Sequence, residues 1–461
     1  MRRHARLVLC AALGFSWLSA NADDSLPAGA SEVLARYVAT PDESFAWRKV
    51  GGGTIGSTTY IEMRLISQTW RGVQWKHQLF LLRPKSMDSR TMRGESRQAL
   101  LFIHGGRWKE EYESQSRSDL PRDARHFARL AETLRAPLGV LRQVPHQPLF
   151  DRREDALIAF TFERYLETGE SDWPLLLPMV KSAVRGMDAI QQAAMQHWGV
   201  DIDAFTVSGA SKRGWTAWLT AANDPRVKAV APMVIDVLNM AAQMDHQRAT
   251  WGSLSEEISD YSGAEFQARL RSAQGQALLA IVDPYSYRKQ LTDPKLILLS
   301  TNDRYWPLDA LKLYWSGLPQ PKHVLYVPNQ GHGLRDVDRV IGALGAVHRY
   351  SESGEPLPQL SWELVSSAAK LRMAVDTDRR ARRVQIWRAH SATRDFREAH
   401  WRSSPCAPSA GAFVCEAWRA AKGYTAVFAE ASFKDAREPE FSLSTMVCIA
   451  ASPATDPQPR C

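Results

Sequence analysis

Three residues of the chain, Ser211, Asp303 and His332, occur in the order serine, acid, histidine that nucleophilic hydrolysis by a serine triad uses. An apolar run precedes Ser211 and a helical pattern follows it, which is the strand–turn–helix context that exposes a serine hydroxyl above a sheet. Gly209 stands two residues before the serine, but the glycine expected two residues after it is delayed to Gly214. A serine that merely caps a helix is the alternative interpretation of this segment.

The proposed acid and base each follow a strand-like run. Asp303 comes after the apolar residues 296 to 300, and His332 comes after residues 324 to 327. Loops at the ends of parallel strands are where open α/β sheets build their active sites. Asp236, at the end of an earlier strand, is an alternative acid; Asp303 is favoured because it lies one strand before the histidine. A plain loop histidine in a glycine turn is the alternative for His332.

An oxyanion hole needs preorganised N–H donors. The amide of Lys212, directly after the serine, would supply one, and Gly106 or Arg107, in the loop after a predicted strand, would supply the other. The lysine side chain is disfavoured in a first helical turn, so it either serves an anion there or lies in solvent. Four tryptophans near these loops are candidates to line a substrate pocket, although core packing would explain each one alone: Trp108, Trp215, Trp251 and Trp306.

Apolar strand-like runs alternate with helical patterns from about residue 58 to residue 350. This alternation predicts an α/β fold with a doubly wound, mostly parallel sheet over residues 23–355. Residues 237 to 290 interrupt the rhythm and are predicted to form a lid over the strand ends. Beyond residue 355 the pattern changes to short alternating strands, which predicts a small β-sandwich over residues 356–461.

The N-terminus carries a basic segment, an apolar run over residues 7 to 18 and the small-residue site Ala20-Asn21-Ala22. This pattern predicts a signal peptide over residues 1–22 and a periplasmic or secreted protein, with an uncleaved anchor as the alternative. Cleavage would leave four cysteines near the C-terminus, as expected for two disulfides. Cys406–Cys415 with Cys448–Cys461 is the favoured pairing of the three possible ones.

The composition excludes a wholly disordered protein and a polytopic membrane protein. Hydrophobic residues at 44% and charged residues at 23% are ordinary for a soluble globular protein. The formal charge of +8 falls when three arginines leave with the signal peptide, so no nucleic-acid partner is expected. No integral membrane association is expected after cleavage. A zinc-ligand spacing is missing, and the G-x-G-x-x-G match at residues 51–56 precedes a strand pattern, which predicts a turn; no metal or cofactor is expected. The oligomeric state stays open.

Long segments of the chain resemble the PhoPQ-activated pathogenicity-related proteins. The resembling segments are residues 67–70, 141–149, 153–157, 177–183, 209–222, 231–240 and 281–287. The family also takes in secreted autocrine proliferation repressors and is regarded as α/β-hydrolase-like, so the resemblance implies that fold, export, and Ser211, Asp303 and His332 as site residues. It implies no substrate. The sequence therefore predicts an exported serine hydrolase acting on a small-molecule ester or a peptide, with a non-catalytic binding or signalling protein on the same scaffold as the alternative.

Overall fold

The computed structural model describes residues 30–87, 97–114, 121–367, 369–409, 411–434 and 439–455. The predicted signal peptide, residues 1–22, lies outside the described residues. Among the helices that are described, none combines the length and apolar character needed to cross a membrane.

A mostly parallel sheet forms the centre of the molecule. Its first nine strands are β1 Ala46–Ile55, β2 Thr58–Trp70, β3 Val73–Arg83, β4 Gln98–Ile103, β5 Leu138–Leu141, β6 Ala204–Ala210, β7 Val227–Met233, β8 Lys295–Ser300 and β9 Lys322–Val327. They lie in the order β1-β2-β3-β5-β4-β6-β7-β8-β9. The first three strands pair antiparallel, and β5, β4 and β6 to β9 pair parallel. The predicted doubly wound sheet is confirmed.

Helices cover both faces of this sheet. They are α1 Ala30–Ala39, α2 Glu111–Ser114, α3 Ala124–Leu134, α4 Glu154–Thr168, α5 Leu176–Trp198, α6 Lys212–Asn223, α7 Met240–Trp251, α8 Ala264–Leu270, α9 Ala273–Val282 and α10 Val337–Ser353. Successive side chains of a strand point to opposite faces. Accordingly Ile297 and Leu299 of β8 join the core that includes α5 and α6, whereas Leu296 and Leu298 join the core that includes α3 and α10.

Two local predictions were wrong. Residues 51 to 55 belong to strand β1 and not to a turn, because the glycines allow close approach to β2: a Cβ on Gly52 would lie 2.6 Å from the carbonyl oxygen of Tyr60. The apolar pattern of residues 308 to 315 also suits a helix, but the structure forms only the short 3-10 segment Ala310–Leu313 there.

Helices fill the predicted lid between β7 and β8. Besides α7, α8 and α9, this segment contains the 3-10 turns Glu256–Tyr261 and Pro284–Tyr287. The two ends of the segment are tied together by Asp283, whose carboxylate accepts hydrogen bonds from the amides of Asn239 (3.1 Å), Met240 (2.8 Å) and Tyr285 (2.8 Å). Burial raises the pKa of Asp283 to about 6. The start and the end of the lid are therefore held at one buried point.

The C-terminal strands form two packed antiparallel sheets. They are β10 Leu360–Ser366, β11 Lys370–Thr377, β12 Arg383–Ser391, β13 Arg402–Pro405, β14 Ala407–Ser409, β15 Ala412–Trp418, β16 Tyr424–Phe433, β17 Phe441–Ser444 and β18 Cys448–Ala451. One sheet has the order β10-β11-β15-β14. The other continues the central sheet, because Ser444 of β17 pairs with Val324 of β9. The predicted sandwich is present, and its junction with the central sheet is a feature that the sequence does not reveal.

A disulfide joins Cys406 and Cys415, as predicted, with the two Cα atoms 4.4 Å apart. Cys406 follows β13 of the extended sheet, and Cys415 lies in β15 of the four-stranded sheet. The bond therefore links the two layers of the sandwich. Cys448 is also disulfide-bonded, but its predicted partner, Cys461, lies outside the described residues.

Candidate active site

Ser211 occupies a sharp turn between β6 and α6. Its backbone has φ 57° and ψ −131°, a conformation that residues with a side chain rarely adopt and that costs about 1–3 kcal/mol. Its amide donates to the carbonyl oxygen of Met233 (2.8 Å), and its own carbonyl accepts from the amide of Trp215 (3.0 Å). The side chain stands at the N-cap position but makes no capping hydrogen bond. The hydroxyl is therefore not committed to capping the helix.

Two glycines make this turn possible. A Cβ on Gly209 would lie 2.7 Å from the carbonyl oxygen of Arg213, and a Cβ on Gly214 would lie 2.8 Å from the carbonyl oxygen of Gly209 and 2.8 Å from Cγ2 of Ile235. Strand and helix thus approach each other at a point where Gly209 and Gly214 are in contact. The delayed second glycine, which is an imperfect match in the sequence, meets the same steric requirement one position later.

Asp303 and His332 come together on the loops after β8 and β9. Nδ1 of the histidine lies 2.9 Å and 3.1 Å from the two carboxylate oxygens, and the aspartate also accepts the amide of Tyr305 (2.9 Å). The ring of Tyr305 stacks on the imidazole with 4.1 Å between centroids. Because the carboxylate accepts a hydrogen bond from Nδ1, it favours the tautomer in which Nε2 is free to accept a proton. Nε2 is buried and has no hydrogen-bond partner among the described residues, Ser211 included.

Asp236 lies apart from the histidine. Its carboxylate accepts a hydrogen bond from the hydroxyl of Tyr314 (2.6 Å), not from His332. It lines a cavity of about 360 Å³ that Asp303 and Trp251 also line. Burial, together with the charges of Asp303 and Asp309, raises the pKa of Asp236 to about 7, although the hydrogen bond from Tyr314 acts to lower it. Of the two candidate acids, only Asp303 contacts the imidazole.

The raised pKa of Asp236 predicts a pH-dependent stability. Because its folded pKa of about 7 exceeds the unfolded value of 3.8, the folded state binds the proton more tightly, and the free energy of unfolding should fall as the pH rises from about 4 to about 7. The fall has an upper bound of about 4 kcal/mol. Asp236→Asn should reduce that slope and be more stable than wild type at pH 8, measured by urea unfolding at several pH values. Asp338→Asn, on a side chain that is 80% exposed, is the control; equal slopes in wild type and Asp236→Asn would contradict the expectation.

Lys212 is neither solvated nor free. Its residue is 7% exposed, and its ammonium lies 3.0 Å from Oε2 of Glu154 and 2.8 Å from Oδ2 of Asp155. Arg213 forms a bidentate pair with Glu154 at 2.8 Å for both contacts. Burial acts to raise the pKa of Glu154, but the pairs with Arg213 and Lys212 outweigh it and hold that pKa well below its usual range. Two basic residues at a helix N-terminus are thus balanced by two carboxylates.

The cluster of Lys212, Arg213, Glu154 and Asp155 also holds the predicted oxyanion loop beside the sharp turn at Ser211, the elbow. Gly106 has φ 133°, which favours glycine, and its carbonyl accepts a hydrogen bond from Nε2 of Gln147 (3.0 Å). Gln147 also contacts Glu154 at 2.6 Å. A Cβ on Gly105 would lie 2.6 Å from the guanidinium of Arg213. The loop that carries Gly106 and the exposed Arg107 is therefore packed against the helix that begins after Ser211.

Sequence reasoning assigned no chemistry to Gln147, Glu154, Asp155 or Tyr305. Gln147, Glu154 and Asp155 lie in segments that carry the family resemblance. The signal in the sequence that could have pointed to the two carboxylates is electrostatic. Lysine and arginine in the first turn of a helix require nearby carboxylates to be stable there. Tyr305 carries no such signal, because its position over the imidazole depends on how two loops pack.

A large cavity lies between the elbow and the lid. It encloses about 1000 Å³, including the part open to solvent, and Ser211, Lys212 and Tyr305 contribute to its wall. The four candidate tryptophans differ in their positions. Trp215 and Trp306 line this cavity, and Trp251 and Trp306 line the smaller one behind it. Trp108 instead packs against Tyr112 and His146 and lines neither of these two cavities.

Comparison with known proteins identifies the family. The PhoPQ-activated pathogenicity-related protein family matches residues 34–397. The chain belongs to this family. The resemblance inferred from the sequence is thereby confirmed. Among the described residues there is no group of three or more histidine, cysteine, aspartate or glutamate side chains able to hold a metal ion.

One relative and two solved structures are similar to this chain along most of their own length. Autocrine proliferation repressor protein A of Dictyostelium discoideum is 28% identical over 475 residues, which is 94% of this chain and 92% of that protein. Acetyl Xylan Esterase 1 from a Thermoanaerobacterium species is 15% identical with a TM-score of 0.47, covering 70% of this chain and 94% of the esterase. An acetyl xylan esterase from a Paenibacillus species is 14% identical with a TM-score of 0.46, covering 70% and 92%.

Proposed function

We propose that this protein is a serine hydrolase that cleaves small-molecule esters through Ser211, His332 and Asp303. The conformation of Ser211 is the observation that carries the proposal. A strained backbone at a non-glycine residue is kept only where the surrounding structure enforces it, and such sites are often functional. Here the strained residue is a serine whose hydroxyl is free of capping, whose turn two glycines permit, and which lines a large cavity.

In the reaction, Nε2 of His332 removes the proton of the Ser211 hydroxyl as Oγ attacks the ester carbonyl. The Lys212 amide and an amide of the loop at Gly106 and Arg107 stabilise the oxyanion. When the C–O bond to the alcohol breaks, His332 gives its proton to the leaving alcohol, and the acyl group stays on Ser211. Water then attacks this acyl-enzyme, with His332 again acting as base, and releases the carboxylic acid.

Asp303 would fix the tautomer of His332 and stabilise the imidazolium. In the part of the chain that the structure describes, Nε2 of His332 has no hydrogen-bond partner. Hydrogen bonds between catalytic groups are often long before substrate binds. We therefore infer that His332 approaches Ser211 when the substrate is bound, with Tyr305 moving with the imidazole on which it stacks.

The lid favours an ester over a peptide. A peptide would bring several backbone N–H and C=O groups into the cavity, and each needs a hydrogen-bond partner when it is buried. The wall is formed largely by apolar side chains of the lid and the core. An ester brings few polar atoms and suits such a wall better.

Labelling with a fluorophosphonate tests the proposal. The probe should modify wild-type protein at Ser211, identified by mass spectrometry of the labelled peptide, and should not modify Ser211→Ala. Ser259→Ala, at an exposed lid serine, should label like wild type. A folded wild-type protein that resists the probe across pH 6 to 9 would overturn the proposal.

A second candidate is a binding protein on a hydrolase scaffold that does not turn over. The unpartnered Nε2 of His332 favours it, because no hydrogen bond yet activates the serine. Under this alternative the folded protein resists the probe and hydrolyses no ester, while the cavity still binds a ligand. The same labelling experiment therefore separates the two candidates.

We also propose that the protein is exported to the periplasm or secreted. The support is the N-terminal pattern of a basic segment, a short apolar run and an Ala-x-Ala site. N-terminal sequencing of protein isolated from its natural source should begin at Asp23. A chain that begins at Met1 and sediments with membranes would instead indicate an uncleaved anchor.

A further inference from the structure

The large cavity beside Ser211 has an apolar wall made from two layers of the molecule. Helix α4, helix α6 and the end of β7 supply the inner wall, and the lid supplies the outer wall. The apolar lining residues include Phe162, Trp215 and Ile235 from the first layer and Met244, Ile258 and Phe266 from the lid. Trp215, Ile235, Ile258 and Phe266 are each less than 8% exposed, so the wall is formed by firmly packed side chains.

Each charged side chain that lines the cavity among the described residues has a partner of opposite charge. Asp245 lies 3.3 Å from Arg248 and 3.9 Å from Arg271, and Lys212 lies 2.8 Å from Asp155. The side chains of Asp245 and Arg271 are 75% and 69% exposed, which places this pair on the solvent side of the cavity. A charged ligand group would have to displace one of these partners, whereas a neutral group would not.

The acyl part of an ester is the part that stays on the enzyme after the alcohol has left. In serine hydrolysis the acyl group is bonded to the serine from the first step until water releases it, whereas the alcohol leaves after the first step. A cavity at Ser211 that is walled by the core and the lid suits the group that remains bound through both steps. Its apolar wall also extends from Ser211 across helix α4 and the lid, which is more apolar surface than an acetyl group could contact.

We propose that this cavity binds the extended apolar acyl chain of an uncharged ester, so that the enzyme prefers medium-chain acyl esters to acetate esters. This inference rests on the proposed function, because it assigns the substrate class of the same serine. Each methylene that enters the cavity leaves water, and the transfer of one methylene corresponds to roughly a fourfold gain in binding. If about three-quarters of that gain is realised in the transition state, kcat/KM should rise about threefold per methylene until the cavity is full.

The test is a series of p-nitrophenyl esters with acyl chains of two to ten carbons, measured with the full mature protein. Six added methylenes at about threefold each would give about 700-fold if all entered the cavity, and four would give about 80-fold, so we expect kcat/KM for octanoate to exceed that for acetate by at least 50-fold. Met244→Trp, which fills the lid side of the cavity, should lower the octanoate-to-acetate ratio at least tenfold. Ala241→Leu is a smaller filling change that serves if the tryptophan variant does not fold. Met195→Trp, at a side chain 49% exposed on α5, should leave the ratio unchanged.

The outcomes separate this inference from the proposed function. Hydrolysis of acetate with no preference for longer chains overturns the inference and leaves the serine hydrolase intact. An octanoate-to-acetate ratio that both Met244→Trp and Ala241→Leu leave unchanged also overturns the inference, because the acyl chain then binds elsewhere. If alkyl acetates of increasing alcohol length show the preference instead, the cavity holds the alcohol and the inference is wrong. A folded protein that hydrolyses none of the esters and resists the fluorophosphonate overturns the proposed function itself.

Discussion

Replacing Asp303 by asparagine is expected to lower kcat for ester hydrolysis by about 10⁴-fold at neutral pH, while the protein stays folded. The carboxylate accepts a hydrogen bond from Nδ1 of His332 at 2.9 Å. An asparagine amide can instead donate a hydrogen bond to Nδ1, which places the ring proton on Nε2 and leaves no lone pair there to accept the serine proton. The asparagine oxygen can still accept the amide of Tyr305, so the loop should keep its shape.

The matched variant is Asp236→Asn, the other acid that the sequence left open. It removes a carboxylate at the same end of the sheet, but this carboxylate accepts a hydrogen bond from Tyr314 and not from His332. We expect its kcat to stay within about threefold of wild type, a change of less than 1 kcal/mol in the activation barrier. Both variants are compared by steady-state kinetics and by thermal unfolding. If Asp236→Asn loses as much activity as Asp303→Asn, the assignment of the acid is wrong.

Sequence patterns were sufficient for Asp303 and His332, which meet through strand topology. Parallel strands bring their carboxyl ends to one edge of a sheet, so Ser211 after β6, Asp303 after β8 and His332 after β9 were expected to lie at the same edge. Their types and order predict the chemistry of a serine triad, which stays a prediction because Nε2 of His332 has no hydrogen-bond partner among the described residues. The contact between Asp303 and His332 follows from neighbouring strands, since β8 and β9 pair directly.

The parts that could not be predicted depend on packing between distant segments. The cluster of Lys212 and Arg213 with Glu154 and Asp155 joins residues that are separated by more than fifty positions, and a charge in a sequence does not name its partner. The junction between β9 and β17 rests on the single pair Val324 and Ser444. Short strands of this kind carry no pattern that selects one sheet edge over another.

The glycine contact at the elbow predicts a second large effect, on both stability and activity. Gly214→Ala places a Cβ 2.8 Å from the carbonyl oxygen of Gly209, 2.8 Å from Ile235 and 3.2 Å from the amide of Met233. Two of these contacts are with backbone, which cannot rotate away. Alanine favours a helix over glycine by about 1 kcal/mol, so any loss must come from the clash. We expect a net loss of about 2 kcal/mol in the free energy of unfolding, since overpacking typically costs 1–3 kcal/mol or more.

The loss of activity should exceed what lower stability explains. To relieve the clash, helix α6 must move away from β6, and Ser211 lies at the point where the two meet. A shift of about 1 Å in a catalytic group can cost about 100-fold in rate. We therefore expect kcat to fall about 100-fold at a temperature where the variant is fully folded, measured beside urea unfolding. Gly263→Ala is the control, because a Cβ there meets no atom within 4 Å. Full activity in a destabilised Gly214→Ala would mean that the chemistry does not depend on the geometry of this turn.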